Sequence, residues 1–260
     1  MADVTALTPV GAHVEGVVVD ALSSPETDWL KDLLAEHGVL IFRGLNCAVD
    51  DAAFVRFLRS FGELAFTAGE TPVPGFGDLN VVSNIGRTTP PRSVFHVDTS
   101  YVDRPPAYTA LRAVEIPESG GQTLFSNQYA AYDTLPAELH DELDGRSITH
   151  VLTGLSPDTG QQTSAKHPVF RVHPRSGKTA LFMSTPQRCA AISGMSADRA
   201  ADVIARLFAH STREDNVHRH NWSRGDVVMW DNRAVMHCAD HSGVVGDRLM
   251  HRGMAADSSQ

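Results

Sequence analysis

The residues of this chain best suited to chemistry are His96, Asp98 and His237. In Val94–Ser100 (VFHVDTS) an imidazole and a carboxylate are separated by one position, and on an extended strand alternate residues share a face, so the two are expected side by side. Thirteen histidines in 260 residues make a single such pair cheap. The weight comes from His237 in AVMHC and from two arginines in the RLMHR that follows, Arg248 and Arg252. Two neutral imidazoles and one carboxylate, with a close pair and a distant third member, form the ligand pattern of non-haem Fe(II) oxygenases, which leaves coordination positions open. Such a centre keeps net positive charge and attracts an anionic chelating cosubstrate. A chelating 2-oxo acid brings a second carboxylate, which arginine, planar and permanently charged, suits better than lysine. Four positions apart on an expected strand, Arg248 and Arg252 face the same way, one for the cosubstrate and the other for an acidic substrate.

The elements that must position these groups are mixed. Ser24-Pro25-Glu26 opens a helix in which Trp29, Leu30, Leu33 and Leu34 share a face, with Gly38 as its stop. VLIF (Val39 to Phe42) reads as a buried strand, and Asp50 and Asp51 precede a second helix with Phe54, Phe57, Leu58 and Phe61 on one side. From Asn80 onward short β-like runs dominate: NVVSN, SVFHVD, YTALRAVEI, QTLFSN, SITHVL, PVFRVH, TALFMS, DVVMWD, AVMHC and RLMHRGM. Two helical interruptions follow Asn127 (YAAYDTLPAELHDEL) and Gly194, the second with Val203, Ile204, Leu207 and Phe208 as its apolar stripe. This is the pattern of a mainly β jelly roll with flanking helices rather than a parallel α/β sheet. No repeat or linker divides the chain, so one domain over 1–260 is expected. The polar, turn-rich segment 152–168 is either a lid or an unstructured stretch.

Composition narrows the partners. A formal charge of −9 with no basic run argues against nucleic acid. No apolar run approaches the ~18 residues of a membrane span and no basic leader precedes an apolar one, so a cytoplasmic protein is expected. Cys47, Cys189 and Cys238 are odd in number and widely spaced, which suggests neither a disulfide framework nor a thiolate zinc site. Oligomeric state is not legible.

GVLIFRGL (Gly38 to Leu45), FGEL (Phe61 to Leu64), FHVDTSY, RPPAYTALRAVEIPESGGQTLFSN, HPVFRVHPRSGKTALFMS, WDNRAVMH and RLMHR together resemble the taurine/2,4-dichlorophenoxyacetate type of Fe(II)- and 2-oxoglutarate-dependent dioxygenase. The resemblance implies a double-stranded β-helix with a cupin-like core and iron held by His96, Asp98 and His237. It also implies 2-oxoglutarate bound through Thr123 and Arg248, O2 as co-reactant, and Arg252 near the substrate's anionic group. Oxidation of the substrate would be coupled to formation of succinate and CO2, with hydroxylation, desaturation and oxidative cleavage all open. The chain departs from taurine-oxidising members after FGEL, where Ala65, Thr67 and Glu70 stand, and at Arg92, four residues before His96. Those departures argue against taurine. Arg92 and Arg252 together suit an amino acid derivative, carboxylate or sulfonate, and the pocket leans toward natural-product biosynthesis.

Plainer readings apply elsewhere. Trp230 is expected in the core, Asn232 and Arg233 in a turn holding the strand of His237, and His218 and His220 as an exposed strand pair. His251 and Cys238 should point away from the metal. Two rivals keep the same ligands: a 2-oxoglutarate-binding sensor, which has no need of open iron positions, and a zinc hydrolase, which has no use for Thr123 and Arg248.

Overall fold

The computed structural model describes residues 2–19, 21–43, 49–66, 70–87, 93–154 and 160–257. At its start, β1 (Asp3–Ala6) and β2 (Ala12–Glu15) precede α1 (Ser24–His37), which leads to β3 (Val39–Phe42). Ser23 caps α1 in a reciprocal pair with Glu26, satisfying two of the backbone N–H groups that a helix start leaves unpaired. Asp50 caps α2 (Asp51–Phe61) by accepting from the Ala53 N–H at 2.7 Å. The expected apolar face is the buried one: Phe54, Phe57, Leu58 and Phe61 are at most 1% exposed. At roughly 1.5–3 kcal/mol per buried large apolar side chain, this face alone explains why α2 docks on the sheet.

The chain continues through β4 (Leu64–Ala65), β5 (Pro72–Val73), β6 (Phe76–Ser83), β7 (Tyr108–Glu115) and β8 (Thr123–Asn127). Next come α3 (Gln128–Asp133), α4 (Ala137–Leu143), β9 (Ser147–Val151), β10 (Ser164–Pro168), β11 (Phe170–Val172), β12 (Thr179–Leu181) and β13 (Cys189–Ile192). The last elements are α5 (Ala197–Ser211), β14 (Val217–His220), β15 (Val227–Asp231), β16 (Val235–Ala239) and β17 (Leu249–Ala255). A nine-stranded sheet runs β1-β2-β3-β15-β7-β17-β6-β5, with β4 paired to β17, and a smaller sheet runs β14-β8-β16. Pairing is antiparallel apart from β2 with β3. This is the expected mainly β, jelly-roll arrangement with helices outside it.

Strand alternation sorts the large sheet into two faces. On β15, Val227 and Met229 join the cluster under α1 and α2, whereas Val228 and Trp230 join a cluster with Phe125 and Val235 of the small sheet. Strands buried on both faces read as continuous apolar runs, which is why VLIF and VVMW show no alternation in sequence. The same period sends Met250 and Arg252 of β17 inward, while His251 and Gly253 face α2. A Cβ at Gly253 would run into Leu58, and His251 Nδ1 meets Asp51 at 2.6 Å.

Several expectations need correction. SVFHVD is not a regular strand: His96 makes one isolated bridge, to His237, and the chain turns at Asp98–Tyr101 with Thr99 at φ 44°. The helical stretch after Asn127 is two helices, broken where Pro136 removes a backbone N–H. In segment 152–168, residues 155–159 lie outside the described residues, and Ser164–Pro168 is β10, paired with β9. His218 and His220 are not an exposed pair. His220 is 1% exposed, with Nε2 3.3 Å from Asp226 and its ring 4.6 Å from that of Trp222. Among the described residues no helix is long and apolar enough to cross a membrane.

Candidate metal and cosubstrate site

His237 lies in the middle of β16, and His96 adds to that strand's free edge by exchanging both backbone hydrogen bonds with it, at 2.9 and 3.0 Å. The two rings therefore lie on one side, with centroids 4.3 Å apart. Asp98 follows two residues after His96, in the turn. His167 of β10 steadies that turn by donating from Nε2 to the Ser100 and Val102 carbonyls at 2.9 and 3.0 Å. Asp98 then stands 3.6 Å from His96 Nε2 and 3.7 Å from His237 Nε2. Among the described residues these three form a group that could hold a metal ion, each offering a ligand atom within 4.8 Å of the others.

The protonation states suit a cation. Burial lowers His237 to about 3, against the pull of Asp98, so its imidazole stays neutral. Burial opposes the charge of Asp98, but its neighbours, with Arg252 the permanent cation among them, outweigh it and hold the carboxyl well below the usual range. His96 Nδ1 lies 3.0 Å from the Val94 carbonyl, which fixes that nitrogen as donor and leaves Nε2 with its lone pair facing Asp98. Asp98 is oriented in turn by the Thr109 hydroxyl at 2.9 Å, and Thr109 accepts from the Asn232 amide at 2.8 Å. Asn232 thus does more than turn the chain, and Thr109, inside YTALRAVEI, was not singled out by sequence because a strand threonine carries no signal of its own.

The turn from β15 to β16 is held by charge. Asp231 accepts from Arg233 and from His173 Nε2, and Arg233 reaches Asp257 at 3.0 Å. Burial opposes the charge of Asp231, yet Arg233 and His173 lower its carboxyl far below the ordinary value. Trp230 is in the core as expected, but it also packs on His237, ring centroids 4.5 Å apart, and lines the cavity.

That cavity, about 370 Å³, is lined by both histidines with Glu70, Arg87, Thr123, Trp230, Arg248 and Arg252 among others. Arg248 lies just before β17 and is fully buried. Its backbone is clamped by Asn84 and its Nε donates to the Gly121 carbonyl at 2.9 Å. Gly121 has φ +72°, and a Cβ there would press on the Arg248 side chain, which accounts for the second glycine of GGQT. Thr123 Oγ1 accepts from Trp222 Nε1 at 3.0 Å and from Arg248 Nη2 at 3.4 Å. With its acceptor side so occupied, the hydroxyl proton is free to be donated. Arg248 Nη1 has no partner, and burial pushes this guanidinium down to about 10. A buried cation with a spare N–H beside a free hydroxyl fits the distal carboxylate of a 2-oxo acid, and the neighbouring N2O donor set fits Fe(II).

Arg252 is placed differently. Its Nη1 is 3.3 Å from Asp98 and its Nη2 is 2.5 Å from Glu70. Tyr101 is close enough for the charges of Glu70, Asp98 and Arg252 to act on its hydroxyl, which burial raises. Arg92 and Thr67 lie outside the described residues.

Residues 3–254 match the family described as taurine catabolism dioxygenase TauD, TfdA family. The 2,4-dichlorophenoxyacetate dioxygenase of Cupriavidus pinatubonensis, named as alpha-ketoglutarate-dependent, is 30% identical over 92% of this chain and 92% of its own. Pentalenolactone F synthase of Streptomyces avermitilis is 28% identical, covering 87% of this chain and 83% of its own. The crystal structure of a taurine dioxygenase from Burkholderia xenovorans superposes with a TM-score of 0.84 at 29% identity, over 99% of this chain and 91% of that one. The family description and the first relative each name a dioxygenase, not a sensor or a zinc hydrolase. The chain belongs to the TauD/TfdA family and is an Fe(II)- and 2-oxoglutarate-dependent dioxygenase.

Proposed function

We propose that His96, Asp98 and His237 hold Fe(II), that Arg248 and Thr123 bind the distal carboxylate of 2-oxoglutarate, and that Arg252 contacts a small acidic substrate. When bound, iron with 2-oxoglutarate and O2 supplies an oxidant strong enough for unactivated C–H bonds, with succinate and CO2 as coproducts. The chain's own part is positioning. Thr109 keeps Asp98 turned toward the histidines, Trp222 keeps the Thr123 hydroxyl directed at its ligand, and Trp230 gives the imidazole of His237 an apolar, water-poor wall. The observation that carries the reading is the buried Arg248 with an unpartnered Nη1 in the cavity that both histidines line.

The relatives are named for a phenoxy acid and for pentalenolactone F formation. The first fits a small acid, and the second fits a role in natural-product biosynthesis. Cys189 and Cys238 are buried free thiols, which fits the reducing cytoplasm. The test is succinate formation by anaerobically iron-loaded protein given 2-oxoglutarate and O2 across amino acids, N-substituted amino acids, carboxylates and sulfonates, with His96→Ala as control. Substrate-stimulated succinate that depends on His96 is the expected result. Iron-loaded protein that neither binds nor consumes 2-oxoglutarate would sink the assignment.

A further inference from the structure

We propose that Glu70 sets substrate choice at the open end of the cavity, and that the molecule oxidised is a small acid that also carries a positively charged amino group. The proposal rests on the dioxygenase reading and deepens it. Among the described residues lining the cavity Glu70 is the only acidic one, set against Arg87, Arg248 and Arg252. It does not stand free: its carboxylate meets Arg252 Nη2 at 2.5 Å, while Arg252 Nη1 is taken by Asp98. Of the arginine's three nitrogens only Nε is without a partner. A simple anion would have to compete with Glu70 for this guanidinium, and would place further negative charge beside that carboxylate.

A zwitterion meets no such conflict. Its carboxylate can share the Nε edge of Arg252 while its ammonium neutralises Glu70, so that every charge at this end has an opposite neighbour. Asn80 adds an independent observation. It is fully buried, its side-chain oxygen and nitrogen both lack partners, and it sits directly opposite Arg252 in the pairing of β6 with β17. Residues directly opposite in an antiparallel pair point to the same face, so an unsatisfied amide, able to donate and to accept, accompanies the Arg252–Glu70 pair.

The test uses Mn(II)-loaded full-length protein with N-oxalylglycine, a redox-inert stand-in for 2-oxoglutarate, so that binding is read without turnover. Calorimetry compares matched pairs: amino acids and N-alkyl amino acids against the same carbon skeletons with the amine replaced by hydrogen or hydroxyl. The expected result is that amine-bearing members bind at least about tenfold tighter, that Glu70→Gln removes the preference, and that Glu70→Asp keeps its direction. N-oxalylglycine affinity reports folding of each variant, since that ligand's place is at Arg248 and Thr123. Equal or tighter binding of the deaminated partners, a preference that survives Glu70→Gln, or no binding by any pair to a complex that does hold N-oxalylglycine overturns the proposal. Failure to bind N-oxalylglycine at all strikes instead at the dioxygenase reading beneath it.

Discussion

Arg248 and Arg252 enter one cavity from neighbouring positions and meet opposite surroundings. Arg248 is fully buried against a carbonyl and a hydroxyl, with no carboxylate and with Nη1 unpartnered. Arg252 is already held between Asp98 and Glu70. The first is a charge kept without its counter-ion, a state that costs stability until an anion arrives. The second is a finished network that a ligand must join rather than complete. One end of the cavity is thus built around a fixed acid and the other around a partner that must bring both charges.

The largest effect that would break this contrast is at Arg248. Arg248→Met should weaken 2-oxoglutarate or N-oxalylglycine binding by about 2–5 kcal/mol, read by titration. The same variant should leave the ligand-free protein as stable as before or more so, because an uncompensated buried charge is gone. Arg252→Met should act in the opposite direction on the metal-free protein and lower its Tm, leaving Asp98 and Glu70 facing each other at a cost of about 1–3 kcal/mol. A fall in Tm for the first variant and none for the second would reverse the picture.

Thr109→Val tests whether Asp98 needs its hydroxyl partner. Metal affinity should drop about 10–100-fold, with 2-oxoglutarate binding to the loaded protein little changed. His150 extends the comparison beyond the cavity. It too is fully buried with neither ring nitrogen partnered, but it can escape by staying neutral, and burial lowers it to about 3. The folded protein then takes up no proton there between pH 6.5 and 3 while the unfolded chain does. Stability should therefore fall as pH falls through that window, by roughly 1 kcal/mol per unit. His150→Phe should flatten that part of the profile in denaturant melts at successive pH values. The smallest effect is expected at Trp222: Trp222→Phe removes one hydrogen bond to Thr123 and should raise the KM for 2-oxoglutarate by about tenfold or less, kcat being nearly unaffected.

Much of the site was legible because its chemistry is carried by residue type. Two histidines, an aspartate and two arginines at set intervals can be picked out of a string, and so can the apolar stripes of α1, α2 and α5. The neighbours that tune them cannot. Thr109, Trp222, Asn84 and Asn80 are ordinary residues whose roles come from which strand lies opposite, and the reading of SVFHVD as a strand failed because one bridge and a turn, not a ladder, present His96 and Asp98. Polar residues alternating with apolar ones look the same in either case.

By itself, then, the sequence determined the candidate donor set, the arginines proposed to bind anions and the mainly β architecture, since ligand chemistry and hydrophobic period are local properties of the string. Tertiary structure decided what each charge faces. Whether an arginine waits unpaired or is already held depends on residues as far apart as Glu70 and Arg252, brought together by the fold. Burial sets the strength of that contact, because a low-dielectric interior makes an opposite charge, or its absence, count for far more than it would in water.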